Sequence, residues 1–303
     1  MARAREDLTY RDRMAQRVLS AIYLYPIKSC RGVAVESATV SAIGLAGDRR
    51  WQVVDGDQRG LTQRQHRILA TVQPEPIDDG GLRLQAPGRS PIAVDPPGDQ
   101  TTTVLSHFRL PVPAADAGDP AARWFSELTG ESCRLVAMVG EGGWRLPDDL
   151  DVFGQSAPFS DAAPVLLTAQ PSLVWLRERA DEPFGMDRFR PNLVVDGTEP
   201  WEEDTWSTIR IGEAELRCAV PWPRCTIPQI DQLTADRHRE PAKVLRRHRW
   251  CTEAPTVRAG LRGIVEGNSL FGVGCSVGPL HSTVRTGDEV TVTSTGPPLM
   301  TTL

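Results

Sequence analysis

Short apolar runs, separated by glycine- and proline-rich turns, constrain this chain more than any other feature of its sequence. There are 26 glycines and 25 prolines among the 303 residues, and in the first half they interrupt one apolar run after another. Such runs predict strands, here at 18–27, 38–45, 50–55, 68–74, 82–87, 91–95, 101–105 and 133–139. Many short strands joined by turns are typical of a β-barrel or a β-sandwich.

One helix interrupts these strands. Asp119 stands at the N-cap position, Pro120 follows at the first helical position, and Gly130 lies just past the end. An apolar stripe through Trp124 and Phe125 favours the same helix.

The second half alternates strands and helices more evenly. Strands are predicted at 164–169, 190–197 and 207–221, the last as a hairpin about 211–213, with a final strand pair about 286–288. Helices are predicted at 171–183, with Ser172 as the cap, and from Pro241 to His248. The loop-like stretch 140–163 divides the chain into predicted domains at 17–140 and 150–294, and 295–303 is predicted to be a loose tail.

Composition and charge argue against several functional classes. The formal net charge is -5, so we expect no general nucleic-acid surface and no nucleic-acid partner. No apolar run reaches the ~20 residues of a membrane helix. Residues 1–17 mix charges without an apolar core, which predicts a disordered arm or short amphipathic helix rather than a secretory signal. We therefore expect a cytoplasmic protein with no membrane partner.

The stretch PWPRCT holds a single thiol, Cys225, behind two prolines and Arg224. A neighbouring cation favours thiolate, which is a soft metal ligand, so the stretch suits metal or redox chemistry. The six cysteines form no CxxC pair and no zinc pattern. On the residues alone, a buried structural cysteine remains the favoured reading.

Several cations lie beside predicted strand ends or turns, where side chains can reach a shared cleft. They are Lys28, which Ser29 follows, and Arg49, Arg190 and Arg224. Converging Lys, Ser and Arg side chains suit a phosphate, whereas each charge taken singly is more simply a solvated surface residue. Asp48 stands directly before Arg49. The two residues form either a salt bridge that steadies the arginine or an ordinary surface pair that contributes little to stability.

Motifs of other enzyme classes are missing from the sequence. The five histidines, His66, His107, His238, His248 and His281, show no ligand spacing, and no HExxH, GxSxG or P-loop occurs. The lone GxG at 272–275 lacks the rest of a dinucleotide fingerprint. The acidic turn WEEDTW (201–206) is either a structural loop, which we favour, or a set of carboxylates that holds the cations of a site.

Eight words occur in series: YPIKSCRGV, GLAGDRRWQVVD, LTQRQHRILA, FSDAAPVLLTA, FRPNLVV, WEEDTWSTIRIGE, PWPRCTIPQID and VRTGDEVTV. Together they resemble the MOSC proteins with an attached MOSC N-terminal β-barrel domain, which include bacterial YcbX-like proteins and the mitochondrial amidoxime reducing component. The resemblance covers roughly residues 17–294.

This resemblance implies a mostly β fold with some helices, in which an N-terminal β-barrel-like domain packs on a C-terminal MOSC β-barrel. It also implies a molybdenum cofactor bound in the cleft between them. Cys225 matches the molybdenum ligand of the family. The cofactor-binding words match Lys28, Ser29, Arg49 and Arg190, and Arg224 stands beside the ligand. Ala162 and Ala163 replace hydroxyl residues of relatives, so contacts there would come from backbone groups.

The activity that the resemblance implies is reduction of small N-hydroxylated compounds by a molybdenum-dependent oxidoreductase. Its electrons would come from a separate flavoprotein, ferredoxin or haem protein. The alternative is a non-enzymatic carrier of the molybdenum cofactor or of sulfur, with a persulfide on Cys225. Pro223 and the word DQLTA (231–235) depart from the family pattern, so the loops around Cys225 are expected to differ in shape.

Overall fold

The computed structural model describes residues 16–77, 80–96, 98, 101–106 and 108–302. Its strands, β1 to β20 in chain order, are Val18–Leu24, Val33–Val35, Ser37–Ser41, Gly44–Leu45, Trp51–Val54, Gln73–Pro76, Leu82–Gln85, Ile92–Val94, Thr101–Leu105, Pro111–Asp116, Arg134–Met138, Val165–Ala169, Leu193–Asp196, Trp206–Ile211, Ala214–Pro223, Cys251–Glu253, Leu270–Gly278, Thr283–Arg285, Val290–Thr295 and Thr301–Thr302. Its α-helices, α1 to α4, are Asp119–Thr129, Gln170–Arg177, Glu240–His248 and Ala259–Val265, and short 3-10 helices span Arg67–Thr71, Met186–Arg188, Glu202–Thr205 and Ile227–Gln229. The predicted mostly β fold with helices is confirmed.

An eight-stranded sheet forms the centre of the molecule, in the order β19-β14-β15-β17-β12-β13-β1-β2. Every neighbouring pair is antiparallel except β12 and β13. The strands β1 and β2 come from the predicted first domain, yet they extend a sheet otherwise built from the second half of the chain. Leu19 and Ile22 of β1 are fully buried and pack in one core with Trp206 and Val273.

Smaller sheets complete the first half. One has the order β5-β11-β10-β9, one β6-β7-β8 and one β18-β3-β4. The helix α1 packs Trp124 and Phe125 into a core shared with β5, β7 and β11. Its end is closed by Gly130 in the left-handed conformation, where a residue without Cβ is favoured.

Several local predictions were wrong. The predicted strand at 68–74 begins as a 3-10 helix and becomes a strand at Gln73. The residue before α1 is Gly118, so Asp119 is the first helical residue and caps nothing. Ser172 lies inside α2, where its hydroxyl donates to Glu203 Oε2.

The end of the chain also differs from its prediction. The strands β18 and β19 flank the turn at 286–288 without pairing together, since β18 pairs with β3 and β19 with β14. The predicted loose tail contains β20, which pairs with β16, and Met300, which is buried. The predicted N-terminal arm or short helix over 1–17 lies outside the described residues except for Gln16 and Arg17, and His107 lies outside them too. Within the described ranges, no helix combines the length and apolar character needed to cross a bilayer.

The acidic turn at 201–206 is structural. Glu203 is fully buried and accepts from the Ser172 hydroxyl, and Asp204 pairs with Arg249 at 2.7 Å. Burial, together with the Asp204 carboxylate, raises the pKa of Glu203 from 4.5 to about 7. A carboxyl with a raised folded-state pKa stabilises the fold most at low pH, and this contribution is lost as the pH rises from about 4.5 through about 7.

We therefore predict that Glu203→Gln stabilises the protein at high pH, because the neutral amide removes a buried charge. At pH 8 the free energy of unfolding in urea should rise by roughly 2 kcal/mol, and the gain should shrink steadily as the pH falls from 8 to 5. Glu199→Gln, at an exposed position before the same turn, should change little. Destabilisation by Glu203→Gln at pH 8 would show that the ionised carboxylate is needed there.

Candidate functional site

A cavity of about 440 Å³ lies where the two halves of the chain meet. All eight residues selected from the sequence line it: Lys28, Ser29, Arg49, Ala162, Ala163, Arg190, Arg224 and Cys225. They come from five separate stretches of chain. The cavity therefore brings together five cationic or hydroxyl side chains and one exposed thiol that are distant in sequence.

The Lys28–Ser29 turn follows directly on β1. The Lys28 amide donates to the carbonyl of Trp51, and the side chain of Gln63 donates to the carbonyl of Ser29. Both Lys28 and Ser29 are buried. Ser29 has a φ of 66°, a left-handed conformation that a non-glycine residue adopts only when its surroundings hold it there.

Two arginines lie over the phenol ring of Tyr25. The guanidinium carbon of Arg49 lies 4.5 Å from the ring centroid, and that of Arg190 lies 4.3 Å from it. Both residues have positive φ, 46° and 54°. The Tyr25 hydroxyl donates to the carbonyl of Pro191 at 3.0 Å, so the ring that orders these arginines is itself anchored.

The charge of Arg49 is balanced inside the protein. Its NH1 group pairs with Asp48, whose side chain is fully buried, and donates to Asn192 Oδ1 at 3.1 Å. The pair predicted from sequence is therefore buried rather than an ordinary surface pair. Arg190 instead donates to the neutral amide of Gln232 at 3.2 Å, and burial lowers the pKa of its guanidinium. Among the described residues, Arg190 therefore forms no salt bridge with a carboxylate.

Arg224 follows the end of β15 and is a second cation without a salt bridge among the described residues. Its NH2 donates to the carbonyl of Phe189 at 2.6 Å, while its Nε and NH1 are buried without a hydrogen-bond partner. Burial lowers the pKa of Arg224 to about 10, so it stays charged at neutral pH. A buried N–H without a partner is costly, and an anion in the cavity would supply the missing acceptor.

Cys225 is exposed, whereas the other five cysteines are buried. The favoured interpretation of Cys225 from the residues alone, a buried cysteine, was therefore wrong. The Ile227 amide lies 3.5 Å from its Sγ, and NH1 of Arg64 lies 3.9 Å from it. No group of three His, Cys, Asp or Glu side chains with metal-binding geometry occurs in the described part of the chain, so a metal on Cys225 would need ligands from a cofactor.

Two charged residues of this cavity were missed from the sequence. Asp161 pairs with Lys28 at 3.0 Å through Oδ1, and its Oδ2 lies 3.8 Å from NH1 of Arg64. Both residues lie within the sequence motifs FSDAAP and LTQRQHR, but nothing in a linear sequence shows that they come into contact. Asp161 orders two cations at the edge of the cavity.

Part of the cavity wall is apolar. It comes from one residue after β9, the loop 140–163, the end of β15 and one face of α4; the side chains are Phe108, Leu146, Phe153, Phe159, Trp222, Leu261, Ile264 and Val265. Trp222 lies against Gly274 of β17, where a Cβ would meet the indole at 2.7 Å. Ile264 is 41% exposed, although it belongs to this apolar wall. The lining of one cavity thus combines cations, a thiol and a set of apolar side chains.

Comparisons with known proteins agree with this geometry. The MOSC N-terminal beta barrel domain matches residues 16–132, and the MOSC domain matches residues 154–291. Mitochondrial amidoxime reducing component 2 of Rattus norvegicus is 34% identical over 298 residues, which cover 92% of this chain and 85% of that protein. Molybdenum cofactor sulfurase of Danio rerio is 30% identical over 252 residues, which cover 75% of this chain and 30% of that protein.

Among solved structures, the YUAD protein of Bacillus subtilis aligns over 91% of this chain and 94% of its own, with a TM-score of 0.37 and 10% identity. The two domain matches together span most of the chain, and the amidoxime reducing component matches nearly all of it. The chain therefore belongs to the family of MOSC proteins that carry a MOSC N-terminal beta barrel domain.

Proposed function

We propose that this protein is a molybdenum-dependent oxidoreductase that reduces N-hydroxylated organic compounds. The single observation that carries the proposal is the exposed thiol of Cys225 beside Arg224, whose Nε and NH1 are buried without a partner. The names of the relatives, an amidoxime reducing component and a molybdenum cofactor sulfurase, support the same chemistry.

The cavity fits the molybdenum cofactor, which combines a metal, a dithiolene and a phosphate. Cys225 would supply a thiolate to the metal, a soft ligand that suits it. Arg190 and Arg224, which form no salt bridge among the described residues, would offset the negative charge of the cofactor. Lys28 and Ser29 would contact its polar edge, and the backbone at Ala162 and Ala163 would line it.

When bound, the cofactor would supply the two-electron, oxygen-accepting chemistry, and the protein supplies position and charge. The overall reaction breaks an N–O bond, consumes two electrons and two protons, and releases an amine or amidine and water. Arg49 and Arg190 are held against Tyr25 before any ligand arrives, so these cations are preorganised.

The apolar wall would hold the organic group of the substrate. Phe108, Leu261 and Ile264 belong to this wall. An aromatic or branched group placed there is removed from contact with water. Its burial stabilises the complex by about 25 cal/mol for each Å² of apolar surface. Substrates with such a group are therefore expected to bind better than small polar ones.

We predict that Cys225→Ser lowers bound molybdenum, and dithionite-driven reduction of benzamidoxime, by about a hundredfold, because a hydroxyl is a poor replacement for a thiolate ligand. Molybdenum analysis and amine release measure the two effects. Cys133→Ser is the matched control, since that sulfur is buried beside the hydroxyls of Ser126 and Thr129 and lies outside the cavity.

Full molybdenum content and full activity in Cys225→Ser would contradict the assigned role. A persulfide on Cys225 in the parent protein, with no turnover of any N-hydroxy compound, would instead support the alternative function as a sulfur or cofactor carrier. Mass spectrometry of the intact protein detects that persulfide.

We predict that Ile264→Asp raises the KM for benzamidoxime about tenfold with little change in kcat, because it puts a charge in the apolar wall. The KM for acetamidoxime, which carries only a methyl group, should change less than twofold. Val174→Asp is the control, because Val174 is also helical and is 42% exposed but lies outside the cavity. Equal effects on both substrates would show that this wall does not hold the organic group.

A further inference from the structure

The outer face of α3 carries a row of cations. Arg239, just before the helix, and Lys243, Arg246 and Arg247 recur at helical spacing and are all exposed. Residues at i, i+4, i+7 and i+8 lie on one face of a helix. Arg237, also exposed, precedes this row. The protein as a whole has a net charge of -5, so the charge of this face is opposite in sign to the net charge of the chain.

Most of this charge is not neutralised locally. Lys243 pairs with Asp181 and lies 3.5 Å from Glu240. Arg239, Arg246 and Arg247, by contrast, form no salt bridge with any described residue. The guanidinium of Arg246 lies over the ring of Trp250, 4.8 Å from its centroid, which orients the side chain without removing its charge.

The inner face of the same helix reaches the thiol loop. Ala242 and Leu245 line a second cavity, of about 280 Å³, together with Arg224 and Cys225. This cavity shares both of those residues with the first one. The residues that follow Cys225 form the 3-10 helix Ile227–Gln229, which contacts α3. The helix α3 is therefore a single layer of structure between the cationic surface and Cys225.

We infer that the face formed by Arg237, Arg239, Lys243, Arg246 and Arg247 is the docking surface for an acidic electron-carrier protein. The inference rests on the proposed function, which requires two electrons from a separate donor. Complementary charge steers transient partners and raises their association rate. Docking on α3 would bring the donor to the side of the second cavity, so electrons would have a short path to the Cys225 loop.

Two features favour a small acidic protein over a nucleic acid or a membrane. The cations cover little more than one nine-residue helix, which is a small patch for a duplex or a membrane and an adequate one for a small protein. Leu233, 58% exposed in the loop before Arg237, adds the apolar contact that a protein partner would bury.

The test compares protein and chemical donors on the same enzyme. In Arg246→Glu/Arg247→Glu, the KM for a reduced acidic plant-type ferredoxin should rise about tenfold or more, because two attractive charges become repulsive. Turnover with two small donors of opposite charge, dithionite and reduced methyl viologen, should stay within about twofold of the parent. For the parent, the ferredoxin KM should rise as salt increases from about 0.05 to 0.3 M.

The control variant Arg83→Glu/Arg123→Glu makes the same change in net charge at two exposed positions, on β7 and α1. It should leave the ferredoxin KM near that of the parent, and Arg246→Lys/Arg247→Lys should do the same. Equal losses in the control and in the α3 variant, or an unchanged ferredoxin KM in the α3 variant, would overturn the inference.

Binding without turnover separates this inference from the proposed function. Calorimetric titration of the parent with ferredoxin, and with an acidic flavodoxin as a second probe, should show salt-sensitive binding that the α3 variant loses. Absence of turnover with dithionite would contradict the proposed function. The binding result would still test the docking surface on its own. The docking inference would be overturned if the parent protein bound neither carrier. It would also be overturned if the α3 variant lost binding to RNA or to anionic vesicles but kept its binding to the carriers.

Discussion

The antiparallel pairing of β1 with β13 is the constraint on which the site depends. Ile22 lies opposite Leu193, so the end of β1 meets the beginning of β13. Beyond that end, the Tyr23 amide donates to the carbonyl of Asn192, and the Asn192 side chain donates back to the carbonyl of Tyr23. The turn at Lys28 and the turn at Arg190 are therefore joined by backbone geometry before any side chain in the cavity is considered.

The same register explains how the cations tolerate one another. Asn192 accepts from Arg49, and the guanidinium groups of Arg49 and Arg190 both lie over the ring of Tyr25. The carboxylate of Asp48 forms a salt bridge with Arg49, and no described carboxylate forms one with Arg190. Burying a charge without an ionic partner costs several kcal/mol for each ion. The pairing of the sheet strands holds these arginines in place despite that cost. Under the proposed function, this positive charge would face the anionic groups of the cofactor.

Much of the fold followed from local pattern. The strands at 51–54, 82–85, 92–94, 101–105 and 134–138, the helix α1 and the hairpin of β14 and β15 lie where alternation, apolar stripes and turn residues predicted them. The failures have different causes. Residues 68–71 form a 3-10 helix that is closed by local hydrogen bonds, such as that from the Leu69 amide to the His66 carbonyl. The tail at 301–302 forms a strand because it pairs with β16, which is distant in sequence. A local pattern carries no information about such partners.

The sequence by itself determined which residue types were available for chemistry, namely a lone cysteine after an arginine and four cations or hydroxyls beside turns, and the order of words that marks the family. Only the tertiary structure decided that these residues line one cavity and that Asp161 and Arg64 join them. It also decided that Arg49 pairs with Asp48, whereas Arg224 forms no salt bridge among the described residues. The reason is physical: charge balance and burial depend on distances between chain segments, and strand register, rather than spacing along the chain, sets those distances.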